Sequence, residues 1–293
     1  MPRNLGIFGT GLIGASIGLR ARHAGYRVTG WDADPAHLAT ALERGALDAA
    51  ASDVDSLTAD ADTLVLAAPL PATIELLKRL GERPPRATLV LDVASVKAPV
   101  ALAGAGLPAF VPTHPIAGSE RSGPENAAAD LFVGRVWTLD PAAAPAALAR
   151  AAAFILEMGA RPVPVPSDAH DRIAALTSHL PQILAVVLGS HAAERLNDED
   201  VLALCGTGIR SMLRLGGSSW PMWAGVLEAN AVALAQEVRT LSAILSGVAD
   251  ALEAGHPESL EPRFAAAAAA IGRLNENAAT SGHVDMERPT PTP

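Results

Sequence analysis

The stretch LGIFGTGLIG, residues 5–14, narrows what this chain can fold into more than any other. A short apolar run leads into Gly9, Gly11 and Gly14, and helical spacing follows over residues 12–24. In a strand–turn–helix unit the first glycine permits the tight turn and the second lets the backbone approach a pyrophosphate. The third lets the helix pack against the strand. The helix N-terminus then meets the phosphates with free N–H groups and the positive end of its dipole. The pattern predicts a dinucleotide site touching Gly9, Gly11, Leu12, Ile13 and Gly14, and Ala68 and Pro69, after a strand over residues 63–67, are expected to touch the cofactor as well. The second strand ends in GWDAD, which places Asp32 about 20 residues past the turn, where a carboxylate accepts from the adenosine ribose 2′-OH and repels a 2′-phosphate. No Arg or Lys lies between residues 33 and 37, so NAD is expected rather than NADP.

Further strands are predicted over residues 28–31, 89–92, 110–111, 136–139 and 161–165. Helical patterns over 35–44, 71–80 and 145–158 lie among them. Alternation of this kind means βαβ units and a mainly parallel sheet, an α/β Rossmann-type doubly wound fold. The pattern ends at RPVPVPSD, whose prolines precede an expected helix N-cap at Ser167 or Asp168. Apolar-periodic stretches over 169–196 and 222–252 follow, joined by the Gly-rich CGTGIRSMLRLGGSS. The expected organisation is a nucleotide-binding domain over 1–166, an all-helical domain over 167–275 and a disordered tail over 276–293.

Composition excludes several classes. A net charge of −9 argues against general nucleic-acid binding, although a few arginines can still focus positive potential into one cleft. The long apolar tracts are interrupted by Arg, Glu or Pro, so no membrane span is expected. The N-terminus enters a strand without the apolar core of a signal peptide. A single cysteine, Cys205, gives neither a disulfide framework nor a cysteine metal cluster and suits the cytoplasm.

Ligands of such sheets gather beyond the carboxyl ends of the strands. LDVASVK leaves Ser95 and Lys97 in one loop there, and THPIAGSERSG leaves His114 in the next. A neutral imidazole at that edge can accept a proton from a substrate hydroxyl as hydride leaves the same carbon. Pro115 restricts His114, and Gly118 lets the backbone come close. The plainer readings are that His114 caps a turn, that Ser95 caps a helix starting near Val96, and that Glu120 and Arg121 form a solvated pair. In HDRIAALTSHLPQILA, His170 and His179 are nine residues apart, off a common helix face and wrongly spaced for a metal pair, so no metal is expected. Ser178 and His179 can present polar groups to a cleft. Arg210 and Arg214 stand four apart, suited to bidentate carboxylate capture or simply exposed.

Taken together, GTGLIGASIG, DVASVK, HPIAGSERSG, HDRIAALTSHLP, GIRSMLR, WPMW and LEAN, in that order, resemble the prephenate/arogenate dehydrogenase family over roughly residues 5–250. The resemblance implies NAD-dependent oxidative decarboxylation of a small anionic cyclohexadienyl acid on the route to tyrosine, by a homodimer formed through the helical domain. It implies that His114 deprotonates the C4 hydroxyl, Ser95 orients that hydroxyl, Arg214 binds a carboxylate, and Ser178, His179, Gln182 and Gly208 adjoin the substrate. The family pattern SHLPH reads SHLPQ here, which leaves prephenate, arogenate and an amino-substituted prephenate open. An NAD-binding sensor without turnover is the non-enzymatic alternative.

Overall fold

The structure, a computed structural model, describes residues 3–117, 122–218 and 220–280. Six parallel strands form the main sheet in the order β3-β2-β1-β4-β5-β6. They are β1 (Arg3–Phe8), β2 (Tyr26–Trp31), β3 (Ala49–Ala50), β4 (Thr63–Leu66), β5 (Leu89–Asp92) and β6 (Phe110–Val111). The connecting helices are α1 (Leu12–His23), α2 (Pro35–Glu43), α3 (Val54–Asp60), α4 (Leu70–Glu82) and α5 (Ala98–Ala103). Successive strand residues point to opposite faces, and both faces are buried: Ile7, Val65 and Leu91 enter one core, Phe8, Leu66 and Val90 the other. That double cover explains why these strands read as continuous apolar runs. Strand order reverses between β1 and β4, and the Rossmann-type expectation holds.

A second sheet corrects the sequence reading. Thr113–Pro115, expected as loop, is strand β7, paired antiparallel with β8 (Val136–Leu139), which runs parallel to β9 (Arg161–Pro164). Three residues ending in proline carry no alternation from which a strand could be recognised. The helix α6 (Pro145–Glu157) packs Phe154 and Ile155 into the first core beside Trp137 of β8.

Beyond β9 the described chain is helical. A continuous helix contains α7 (Ser167–Ala174), a π-turn (Ala175–His179) and α8 (Leu180–Ala192). Neither Ser167 nor Asp168 is its N-cap. Pro166 occupies that position, and Ser167 instead donates its N–H and hydroxyl to Asp140. By length and hydropathy this helix could cross a bilayer, contrary to the expectation of no such segment. It nevertheless buries the polar His170 and Asp171 against the first domain's strands and loops. Next come α9 (Glu199–Ala203), α10 (Thr207–Leu213), a 3₁₀ turn (Arg214–Gly217), α11 (Trp220–Ala229), α12 (Ala231–Glu253) and α13 (Glu261–Thr280). The Gly-rich joining stretch is therefore largely helical. The last helix continues past residue 275, and residues 281–293 lie outside the described chain. Backbone packing groups Met1–Glu237 into one compact unit and Val238–Pro293 into another.

Candidate functional site

The turn after β1 lies at the point where strand order reverses. A Cβ on Gly9, whose φ is +96°, would sit 2.6 Å from the Ala67 and Ala68 backbone. One on Gly14 would sit 2.0 Å from the Gly9 carbonyl oxygen. These two glycines are required by the fold itself. A Cβ on Gly11 would meet nothing within 4 Å among the described residues. Gly11 is also the N-cap of α1 and makes no side-chain cap, so the first N–H groups of that helix are left to a ligand. Open space against bare helix N–H groups is what a pyrophosphate needs, and the site fits a dinucleotide.

Gly9, Gly11, Leu12 and Ile13 line a cleft of about 810 Å³, with Asp32, Ala68 and Pro69 opposite. Gly14 packs behind it. Asp32 already has work in this structure: one carboxylate oxygen accepts from the Thr10 N–H (2.5 Å) and hydroxyl (3.0 Å), the other from the Asp34 N–H (2.9 Å). The carboxylate thus braces the glycine turn at the cleft edge as well as facing the cleft.

Ser95 and His114 form the other end of the same cleft. Ser95 does not cap a helix near Val96, since α5 begins at Ala98. Lys97, expected to face the cleft, turns inward. Its buried ammonium pairs with the buried Asp92 carboxylate and donates to the Thr113 carbonyl (2.7 Å). Asp92 also accepts from the Thr113 N–H (2.9 Å), and Trp137 Nε1 donates to the Thr113 hydroxyl (3.0 Å). Desolvation pushes the Asp92 carboxyl up and the Lys97 ammonium down, and each group opposes the other's shift. The residue before His114 is therefore gripped from both sides, which restrains the imidazole more than Pro115 alone could. Gly118, Glu120 and Arg121 lie outside the described residues.

His114 Nδ1 lies 2.9 Å from His170 Nε2, and His170 Nδ1 lies 2.9 Å from Asp171 Oδ1. Asp171 in turn accepts the Lys97 N–H (2.6 Å) and the Ala98 N–H (2.8 Å), capping α5 from a distant segment. Burial, then the Lys97 ammonium, then the His170 and His179 imidazoles hold His114 well below the ordinary histidine range. A neutral imidazole results, the form that can accept a proton. The sequence reading gave His170 and Asp171 no role, because their partners lie more than fifty residues away.

His170 and His179 are both buried, and the π-turn Ala175–His179 adds backbone to one turn and rotates His179 relative to α7. Asn230 bridges Asp171 and His179, donating to the Asp171 carbonyl (2.8 Å) and lying 3.1 Å from His179 Nδ1. His179 Nε2 is buried without a hydrogen-bond partner among the described residues. Desolvation lowers the His179 pKa.

A second cavity, of about 630 Å³, opens on the other side of His114 and is lined by Arg135, His170, Thr177 and Ser178 among others. Arg135 is a cation that the sequence reading passed over, since nothing local distinguishes it from other arginines. Gln182 is buried away from this cavity. Its amide nitrogen donates to the Leu215 carbonyl (2.9 Å), and its oxygen accepts from Ser218 (3.4 Å). Gly208 and Arg214 are exposed and line neither cavity of this chain.

Residues 15–163 match the model of the prephenate dehydrogenase nucleotide-binding domain, and residues 166–266 match that of the prephenate dehydrogenase dimerization domain. The chain belongs to the prephenate dehydrogenase family of NAD-dependent oxidoreductases. It is 34% identical over 253 residues to a Streptomyces niveus protein described as a probable prephenate dehydrogenase, NovF, covering 84% of this chain and 68% of that one. It is 31% identical to the prephenate dehydrogenase of Bacillus subtilis, covering 75% of this chain and 62% of the relative. Among solved structures it resembles the arogenate dehydrogenase of Synechocystis, with a TM-score of 0.76 and 26% identity over 92% of this chain and 99% of that one.

Proposed function

We propose that this protein oxidatively decarboxylates prephenate to 4-hydroxyphenylpyruvate, with NAD as oxidant, as a cytoplasmic homodimer. The observation that carries the reading is the position of His114, which forms a wall of both the nucleotide cleft and the second cavity. NAD, when bound, supplies the hydride acceptor. Leu12 and Ile13 would hold its pyrophosphate through their N–H groups, Asp32 its adenosine ribose, and Ala68 and Pro69 would flank it.

His114 accepts the C4 hydroxyl proton as hydride leaves C4, so the hydroxyl becomes a carbonyl. The ring carboxylate then leaves as CO₂, its bonding pair enters the ring, and the aromatic ring that forms drives the step. His114 returns its proton to the phenolic oxygen. Ser95, beside His114, orients the hydroxyl. Ser178 and Arg135 contact the substrate from the second cavity, where Arg135 supplies the positive charge an anionic substrate needs in a chain of net charge −9. The buried Nε2 of His179 is a donor in want of an acceptor. Arg214, which lines neither cavity of its own chain, is assigned a substrate carboxylate only across the homodimer, and Gln182 supports its turn through the Leu215 carbonyl.

Exposed apolar side chains on the helical segments, including Leu204, Met212 and Trp220, support dimerisation through that region. The experiment is a paired assay: purified protein with NAD and either prephenate or arogenate, followed by NADH absorbance. Turnover of prephenate with the higher kcat/KM is expected. A higher kcat/KM for arogenate would reassign the substrate, in keeping with the Synechocystis likeness. No turnover of either would overturn the reading.

A further inference from the structure

The direction of each hydrogen bond in the His114–His170–Asp171 chain can be worked out from its far end. Both Asp171 oxygens accept backbone N–H groups, from Lys97 and Ala98, and those groups can only donate. The carboxylate is therefore an acceptor, and the 2.9 Å contact to His170 requires the hydrogen on His170 Nδ1. In a neutral imidazole the other nitrogen is then bare. A neutral His170 accepts at Nε2, 2.9 Å from His114 Nδ1, which then carries the hydrogen. A neutral His114 is left with a lone pair on Nε2, the nitrogen not engaged by His170. The rings meet edge to face, centroids 5.1 Å apart at 72°.

We propose that His170 is a positioning residue that locks His114 in the Nδ1–H tautomer and so keeps its Nε2 ready to accept a proton. The inference rests on the reading of His114 as proton acceptor given above. Without the lock, His114 partitions between two tautomers, and the one with hydrogen on Nε2 cannot accept at that nitrogen. His170 is buried, and its backbone is fixed independently by its own helix and by Asn230 on the Asp171 carbonyl. Its ring is thus held by contacts that do not depend on substrate.

The test is ¹⁵N NMR of histidine-labelled full-length protein, together with kinetics of His170→Leu and His170→Gln. In the wild type the expected spectrum shows His114 with Nδ1 protonated and Nε2 bare. A wild-type His114 protonated on Nε2 overturns the proposal, whether or not any variant folds. In His170→Leu the His114 signals should shift toward mixed or Nε2–H protonation. The kcat should fall by about 2–10-fold, the worth of one neutral hydrogen bond, with KM little changed. The glutamine oxygen of His170→Gln can still accept from His114 Nδ1, so part of both the spectrum and kcat should return. An unchanged His114 spectrum in His170→Leu, or a loss confined to KM, would also overturn it. Failure of the wild type to turn over either substrate would sink the functional reading alone, because the NMR assignment does not depend on turnover.

Discussion

The glycine turn after β1 and, through His114, the histidine cluster around β7 reach the same cleft, yet they are built in opposite ways. The turn is local: six consecutive residues, Gly9 to Gly14, decide it through backbone sterics, with Ala67 as the wall it touches. The cluster draws Asp92, Lys97, His114, His170, Asp171 and Asn230 from separate stretches of chain. Its order comes from donors and acceptors matched across long separations. A local device should fail sharply at single backbone positions. A distributed one should lose function by degrees as individual bonds are removed.

Gly14→Ala tests the first half of that contrast and should have the largest effect. Its Cβ would fall 2.0 Å from a backbone oxygen that has no rotamer to escape by, a worse clash than the overpacking that usually costs about 1–3 kcal/mol. Thermal unfolding should show a destabilised protein that binds no NAD; a normal melting temperature would mean the turn is softer than its geometry. His114→Asn comes next, with kcat reduced by about 10²–10⁴-fold, the usual contribution of a positioned acid or base, and KM little changed. In the wild type the acidic limb of kcat/KM should lie below the ordinary histidine pKa of about 6.5, because burial and Lys97 hold His114 down. An unchanged kcat in the variant would remove His114 from the chemistry.

Gly11→Ala sharpens the comparison from within the turn. Its new methyl group meets nothing within 4 Å among the described residues, so the melting temperature should hold while NAD binding weakens by about tenfold or more. Equal losses of stability and affinity would contradict the division between fold glycines and the ligand glycine. The smallest effect is on acid stability. The folded pKa of His114 is depressed below its unfolded value, so protonation favours the unfolded chain. Stability from keeping it neutral is complete above about pH 6.5 and is lost as pH falls below that value. Between about pH 7 and 5 the melting temperature of the wild type should therefore fall more steeply than that of His114→Asn. Parallel curves would show that His114 carries no such penalty.

The legible parts were those whose signal is periodic or steric. Strands buried on both faces read as apolar runs, and the main sheet appeared nearly strand by strand, except for the two-residue β3. The nucleotide turn was legible because glycine has few other reasons to recur at that spacing after a strand. Ser95 and His114 both line the nucleotide cleft, His114 from a strand too short to predict. Lys97 was misread because sequence gives the loop but not the direction of a side chain, and the buried Asp92 decided that direction. The place of His170 was not legible because its partner His114 lies 56 residues away, and the π-turn between His170 and His179 breaks the ordinary helical period.

The sequence by itself determined a Rossmann-type sheet, a glycine turn shaped for a dinucleotide and a family resemblance, since each strand, turn and motif is written in neighbouring residues. Only the tertiary structure decided which way the imidazoles of His114 and His170 turn their protons. That choice depends on Asp171 taking the N–H groups that begin α5, more than seventy residues earlier in the chain. Hydrogen-bond direction propagates through space from donors that cannot accept, and no spacing along the chain encodes it.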